Sequence, residues 1–253
     1  MSDWSSEQYL KFKEQRTQPA IDLANRLRGN TFERIVDIGC GPGNSTAVLK
    51  SVFPNARLVG IDSSSNMIEK AKKSYPDLTF EQCDAHLLKG EYDLLFSNAC
   101  FQWIPDHEVF LPGLMEKLRP GGILAVQMPM NEEEPLFQII HEIAEDPQWG
   151  FQDVWFETHK IPRPDGYFRI LSGCSESFEM WETVYYHRMP SHTALLDWVK
   201  GTRLRPYLEQ LDETKVQKFE RAILDRVLSV YPRMENGEVI LRFRRFFFLA
   251  QKK

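Results

Sequence analysis

The sequence predicts an α/β fold built on a mostly parallel sheet, and three observations support this class. From residue 33 onward, short β-branched runs alternate with helical patterns, which is typical of βαβ units. A glycine-rich loop, residues 39–43, follows the first of these runs. Near the C-terminus, Asn236-Gly237 predicts a turn before a final apolar run, which we expect to pair antiparallel with the strand SFEMWETVYYHRM.

The bulk properties describe an ordinary globular chain. Its 253 residues, 42% of them hydrophobic, suffice for one large domain with a substantial core. The formal charge is -5 and the basic residues are scattered among acidic ones, so the sequence indicates no nucleic-acid partner. Four widely spaced cysteines and the absence of a long apolar run favour a cytoplasmic protein without disulfides or a membrane span.

The predicted elements follow this alternation. Strands are predicted at 33–38, 56–62, 78–84, 92–98 and 121–129, with helices between them at 44–53, 64–75 and 106–118. Ahead of the sheet, a helix is predicted over 6–17, and Pro19 is expected to open a second helix. Because open α/β sheets bind ligands at the carboxyl ends of their strands, we expect the functional residues in the loops there.

The remaining segments complete a single predicted domain, residues 1–253. Residues 1–30 are expected to form an N-terminal helical cap and 31–130 the cofactor-binding half. Two segments that break the alternation, 131–166 and 191–232, are expected to form a helical substrate lid. In the second of these, Ser191 is a predicted N-cap, and one long helix is predicted from Pro206 to about Leu228. The segments 167–190 and 233–253 are assigned to C-terminal strands.

The glycine loop favours a nucleoside over a phosphate. Its glycines are Gly39, Gly41 and Gly43. In a dinucleotide-binding fold the third glycine comes one position after Gly43, and this chain has Asn44 there. The Gly-Lys-Ser/Thr ending of a phosphate-binding loop does not occur either. Asp62 ends the second strand, where an acidic side chain can accept both hydroxyls of a ribose, although it could instead cap the next helix.

The run D-I-G-C-G-P-G at 37–43, followed by an acid at each of the next two strand ends, resembles the motifs of class I S-adenosylmethionine-dependent methyltransferases. This resemblance implies the Rossmann-like sheet of that family, extended by a C-terminal antiparallel hairpin and helical lid insertions. It implies that S-adenosylmethionine is the cofactor and S-adenosylhomocysteine the product. The residues that it assigns to cofactor binding are Asp37, Gly39, Cys40, Gly41, Asp62, Met67, Asp84, Ala85 and Asn98.

Stretches outside the cofactor motifs resemble a narrower group, the bacterial trans-aconitate 2-methyltransferases. They include M-S-D-W, Q-W-I-P-D-H, L-A-V-Q-M-P, Y-Y-H-R-M-P-S-H and L-R-P. The resemblance implies methyl transfer to a carboxylate of trans-aconitate, giving a monomethyl ester. The aromatic connection at 147–166 and Arg203 before L-R-P depart from the pattern of the group. Both lie in the predicted lid.

A tricarboxylate substrate determines what the remaining site must contain. Its carboxylates are ionised at neutral pH, so we expect positioning only and no catalytic general base. Buried carboxylates need cations and hydrogen-bond donors. The candidates for substrate binding are Tyr9, Arg16, Trp103, Tyr186, His187 and Arg205. Of Tyr185 and Tyr186, at most one can face the pocket, because side chains alternate along a strand. His187 and His192 lack further ligands, so no metal is expected.

Other functions remain open on the sequence. The chain could methylate a different small acid or another small molecule, or it could be a non-catalytic module that binds S-adenosylmethionine. A dehydrogenase is disfavoured by Asn44. The sequence leaves the oligomeric state open.

Overall fold

A computed structural model of the protein describes residues 13–151 and 161–253. These residues form a seven-stranded sheet of order β3-β2-β1-β4-β5-β7-β6. Strands β1 to β5 are parallel, whereas β7 runs antiparallel to both β5 and β6. The predicted sheet with its C-terminal antiparallel pair is therefore confirmed. The strands are β1 (Arg34–Ile38), β2 (Arg57–Asp62), β3 (Thr79–Gln82), β4 (Tyr92–Asn98), β5 (Leu118–Pro129), β6 (Ser177–Met189) and β7 (Val239–Gln251).

Helices cover both faces of this sheet. Several begin at side-chain caps, as serine and aspartate at that position favour. Ser191 accepts a hydrogen bond from the backbone N–H of Ala194, which confirms the predicted cap. The helices are α1 (Lys13–Arg26), α2 (Asn44–Val52), α3 (Ser65–Ser74), α4 (His107–Met115), α5 (Pro135–Ala144), α6 (Pro164–Cys174), α7 (His192–Lys200), α8 (Arg205–Leu208) and α9 (Glu213–Val230).

Among the described residues, the core has one apolar cluster on each face of the sheet, a third among the C-terminal helices and a small fourth one around Ile68 and Phe80. Helices α1 and α2 pack on the face that carries Ile35, Phe96 and Phe247, which we call the α1 face. Helices α4 and α6 pack on the opposite face. Helices α5, α7 and α9 surround Phe219, together with the adjoining ends of β6 and β7. The two predicted lid segments thus contribute to one shared cluster.

Several boundaries differ from the sequence prediction. Pro19 lies inside α1 and does not open a second helix. The buried residues Ala20 and Leu23 explain the difference, because packing against the sheet outweighs one missing backbone hydrogen bond. The predicted helix from Pro206 to Leu228 is instead divided into α8 and α9, since Asp212 caps a new helix by accepting from the N–H of Lys215.

Residues 164–174 form α6, so the segment 167–190, predicted as a C-terminal strand, begins with a helix. Pro164 is tolerated in the first helical turn, and Tyr167 and Leu171, four residues apart, are buried on one helix face. The turn at Asn236-Gly237 forms, with the Gly237 N–H donating to the carbonyl of Met234. It precedes β7 without joining it directly to β6, because α7, α8 and α9 connect the two strands. No helix in the described ranges is long and apolar enough to cross a membrane.

Candidate functional site

The carboxyl ends of β1, β2, β3 and β4 bring the predicted cofactor residues to one edge of the sheet. Parallel pairing places Asp37 beside Gly60 and Asp62 beside Gln82. Burial raises the pKa of Cys100, just after β4, to about 12, and the charges of Asp62, Asp37 and Asp84 add to that shift. Three acids at or near the ends of three different strands therefore lie close enough to one thiol to shift its pKa.

The glycine loop follows β1 with positive φ angles at Gly39, Gly41 and Gly43. A side chain at residue 39 is excluded, because its Cβ would lie 2.2 Å from the Cys100 Sγ atom. The Gly41 Cβ position, in contrast, faces open space, with no described atom within 4 Å. The loop is thus held tightly against the protein at one glycine and leaves room for a ligand at another.

Asp37 is fully buried beneath this loop. Its Oδ2 atom accepts hydrogen bonds from the hydroxyls of Ser45 and Thr46, at 2.6 Å each. Its Oδ1 atom has no partner in the described part of the chain. Burial, supplemented by the charge of Asp62, raises the pKa of Asp37 to about 6, although the two hydroxyls oppose the shift. One acceptor oxygen is therefore left for a donor or cation of a ligand.

Asp62 organises the loop as well as facing the cleft. Its two oxygens accept from the backbone N–H groups of Gly41, at 3.0 Å, and Ser64, at 2.9 Å. Partial burial raises the pKa of Asp62, and these two hydrogen bonds oppose the shift. The cap of α3 comes from Ser64, which accepts from the N–H of Met67, so Asp62 is not needed there.

Asp84 is the most exposed of the three acids. Its Oδ1 atom accepts from the backbone N–H of His86 and contacts the ring Nδ1 atom of that residue, both at 2.9 Å. These bonds lower the pKa of Asp84 and cap the short turn Ala85–Leu87. The structure thus gives Asp84 a local capping role and places Ala85 directly after it, at the edge of the cleft.

The loop after β4 supplies further acceptors. The Asn98 Oδ1 and Gln102 Oε1 atoms are buried, and neither has a hydrogen-bond partner among the described residues. Between them, Ala99 adopts a φ of 55°, a conformation that costs free energy in a non-glycine residue. Together with the Asp37 Oδ1 atom, this edge presents three unsatisfied acceptors. Such a set suits a cationic ligand that carries N–H or O–H donors.

A second group of polar residues lies on the α1 face, toward β6. The Arg16 guanidinium lies 5.4 Å from the centroid of Trp198, and the His187 ring lies 4.8 Å from the same side chain. Tyr185 stacks on His187 and donates a 2.5 Å hydrogen bond to Asp22 of α1. This arrangement joins α1, β6 and α7 around the basic and aromatic residues.

The other predicted substrate residues are placed differently. Tyr186 lies on the opposite face of β6 from His187 and is 66% exposed, because strand side chains alternate. Arg205, at the start of α8, forms a 2.8 Å ion pair with Glu209. Trp103 is 46% exposed, in the turn after Asn98. Tyr9 lies outside the described residues. Within the described ranges, no group of His, Cys, Asp or Glu side chains is arranged to hold a metal ion.

Sequence reasoning selected Tyr186 over Tyr185, and it missed Gln127 and Arg245. Tyr185, Gln127 and Arg245 share the α1 face. Arg245 is 5% exposed and its guanidinium lies 4.5 Å from the Phe243 ring centroid. Burial lowers the pKa of His187 to about 4, and the charge of Arg245 contributes. The signal was available in the sequence. Gln127 interrupts the apolar run L-A-V-Q-M-P, and Arg245 is two residues from Phe243 and from Phe247, so alternation places it on their side of the final strand.

Comparisons with known proteins agree with this architecture. A family model described as a methyltransferase domain matches residues 31–221. The trans-aconitate 2-methyltransferase of Afipia carboxidovorans is 41% identical over 100% of both chains, and that of an Escherichia coli strain is 41% identical over 100% of this chain and 99% of its own. Among solved structures, the YcgJ protein of Bacillus subtilis matches with a TM-score of 0.61 at 12% identity, covering 93% of this chain and 99% of its own. A geranyl diphosphate methyltransferase matches with a TM-score of 0.55 at 14% identity, covering 98% and 90%. The two structures support the fold alone.

Proposed function

This chain belongs to the methyltransferase domain family and to its trans-aconitate 2-methyltransferases, and from that premise we propose that it transfers a methyl group from S-adenosylmethionine to a carboxylate of trans-aconitate. The products are the monomethyl ester and S-adenosylhomocysteine. Its four cysteines are free, which supports a reducing compartment and hence a cytoplasmic reaction.

One observation carries this proposal: acceptors without partners in the described ranges lie at the ends of β1 and β4, and buried or partly buried cations lie farther along the same side of the sheet, toward β6. The acceptors of Asp37 and Asn98 suit a cofactor that is cationic at its sulfonium and ammonium groups. Arg16 and Arg245 suit an anionic acceptor substrate, which arginine binds in a two-pronged arrangement. A reaction between a cationic cofactor and an anionic substrate needs acceptors around the first and cations around the second.

The residues of the cleft fit the cofactor. When bound, S-adenosylmethionine supplies a methyl group that its sulfonium has already activated. Open space beside Gly41 allows the backbone to lie close to the ligand, and Asp62 is placed to accept from ribose hydroxyls. Asp37 and Asn98 are assigned to the donors of its methionine part. Cys40, Met67, Asp84 and Ala85 are assigned to the rest of the cleft, as the sequence predicts.

The residues toward β6 orient the acceptor. A carboxylate with a pKa near 4 is already ionised, so the chain need not remove a proton from it. Arg16 and Arg245 balance the buried charges. His187, with its lowered pKa, is neutral at pH 7 and contributes a hydrogen bond through its buried Nε2 atom, which has no partner in the described ranges. Tyr9, Trp103 and Arg205 remain proposed substrate contacts. Tyr185 replaces Tyr186 as a candidate, because Tyr185 is on the same face of β6 as His187.

The protein accelerates this reaction by holding the reactants in line and excluding water. Fixing two reactants near 3 Å can supply several kcal/mol of the barrier. The segments 131–166 and 191–232 are assigned to enclosing the substrate, since their described helices share one cluster beside β6 and β7. A dry site favours this reaction because charge is neutralised in the transition state.

The test is methyl transfer from labelled S-adenosylmethionine to a panel of mono-, di- and tricarboxylic acids. We expect base-labile label with trans-aconitate at a kcat/KM well above that of the other acids. A higher value for another acid would reassign the substrate. Cofactor binding without label in any product would identify a non-catalytic module.

A further inference from the structure

Gln127, near the carboxyl end of β5, has a buried side-chain amide that makes no hydrogen bond within the described ranges. The residue is completely inaccessible to solvent, and neither its Nε2 nor its Oε1 atom has a partner among the described residues. Its backbone carbonyl is satisfied by the N–H of Ala99. A buried amide without partners destabilises a protein, whereas an apolar side chain of similar size would not.

The sheet register shows what lies around this amide. Gln127 pairs with Asn98 of β4 on one side and with Phe247 of β7 on the other. Arg245 is two residues from Phe247 along β7, so it is the diagonal neighbour of Gln127 on the same face. Diagonal neighbours on antiparallel strands lie about 7 to 8 Å apart. Gln127 therefore lies between the cofactor acceptors and a buried arginine.

The chemistry of this diagonal pair suits a carboxylate. An amide Nε2 group and a guanidinium both donate hydrogen bonds, so one planar carboxylate can accept from both side chains. The charge of Arg245 also reaches Tyr185 and His187, since it opposes the burial that raises the pKa of Tyr185 and adds to the burial that lowers the pKa of His187. An anion at this place would be stabilised by a positive potential.

We propose that Gln127 and Arg245 form a subsite for one carboxylate of the acceptor that is not methylated, and that this subsite selects polycarboxylates. The inference rests on the proposed methyl transfer to trans-aconitate and assigns two specificity-determining residues to it. Gln127, next to Asn98, places this carboxylate beside the cofactor, and Arg245 holds its outer side.

Gln127→Met tests the subsite, because methionine retains the volume and removes both polar atoms. We expect KM for trans-aconitate to rise about tenfold, with kcat and the Kd for S-adenosylmethionine unchanged. We also expect Tm to stay equal or to rise by a few degrees, since an unsatisfied buried amide is removed. A structural role for Gln127 would instead lower Tm. Gln251→Met is the matched control, at the exposed end of β7.

Three dicarboxylates identify the arm that is bound. Itaconate, glutaconate and mesaconate each lack a different carboxylate of trans-aconitate, and their inhibition constants measure binding. Gln127→Met should weaken two of them and leave one unchanged, namely the acid without the arm that contacts the subsite. Arg245→Lys keeps the positive charge but loses the planar guanidinium. It should leave unchanged the inhibition constant of the same acid. Equal losses for all three, or no loss, would overturn the subsite.

The two proposals fail in distinguishable ways. Wild-type protein that does not methylate trans-aconitate would end the proposed function. Normal wild-type turnover with unchanged kinetics of Gln127→Met would overturn the subsite alone.

Discussion

The two ends of the α1 face differ in the kind of polar group that they carry. At the cofactor end, the buried atoms without partners in the described ranges are acceptors, on Asp37, Asn98 and Gln102. Toward β6 the face carries buried or partly buried cations and donors, among them Arg16 and Arg245. Each end is thus complementary to a reactant of opposite charge.

Burial acts on both ends and shifts their pKa values in opposite directions. It raises the pKa of Asp37 to about 6 and lowers that of His187 to about 4, because each group loses stability in its charged form. At pH 7 the acid is still ionised, whereas the imidazole is neutral. Positive charge at the substrate end must therefore come from arginine, which stays protonated when buried.

Removing Asp62 should produce the largest difference between the two ends. Asp62→Ala removes an acceptor for the ribose and releases the N–H groups of Gly41 and Ser64, so we expect the Kd for S-adenosylmethionine to rise about 100-fold. KM for trans-aconitate, measured at saturating cofactor, should change little. Calorimetry provides the first quantity, and Asp77→Ala, an exposed acid after α3, is the control. Unaltered cofactor affinity would refute the role of Asp62.

Arg16→Met should produce the reverse pattern with a smaller effect. Methionine keeps part of the contact with Trp198 but removes the charge, so KM for trans-aconitate should rise about 20-fold while cofactor affinity stays constant. Arg28→Met, an exposed position just after α1, should leave both constants unchanged. If cofactor affinity fell as much as substrate affinity, the assignment of the two ends would be wrong.

The pH dependence of cofactor binding sharpens the role of Asp37. Its pKa of about 6 means that the carboxylate is ionised above that pH and protonated below it. Affinity for a cationic ligand should be constant above about pH 7 and should fall up to tenfold by pH 5. Asp37→Asn should bind more weakly at pH 7 and show no such dependence. His187→Gln should retain the wild-type profile, and a flat wild-type profile would contradict the prediction.

The smallest effect separates two adjacent tyrosines. Tyr185→Phe removes the hydrogen bond to Asp22 that joins β6 to α1, so the free energy of unfolding should fall by about 1 kcal/mol. Tyr186→Phe is the matched control, because that ring is on the exposed face and should leave stability and kinetics unchanged. Urea denaturation of both variants measures the difference. A larger loss for Tyr186 would reverse the assignment of faces.

The cofactor end could be predicted from the sequence because its determinants are local. The glycine loop, Asp62 and Asp84 each follow a strand directly, and parallel pairing necessarily brings the ends of adjacent strands to one edge. The substrate end could not be predicted in the same way. Its residues come from α1, β6, α7 and β7, and their proximity depends on how distant segments pack. The sequence accordingly selected Tyr186 where packing places Tyr185.

The sequence by itself determined the α/β class, the motifs that follow the parallel strands in chain order, the three acids Asp37, Asp62 and Asp84, and the family. These features are encoded in periodicity and short spacings, which act over a few residues. Only the tertiary structure decided that Gln127 and Arg245 lie on the same face of the sheet, that α1 continues through Pro19, and that two helices follow residue 204. Those outcomes depend on burial and register between distant segments, where the free energy of packing outweighs local preference.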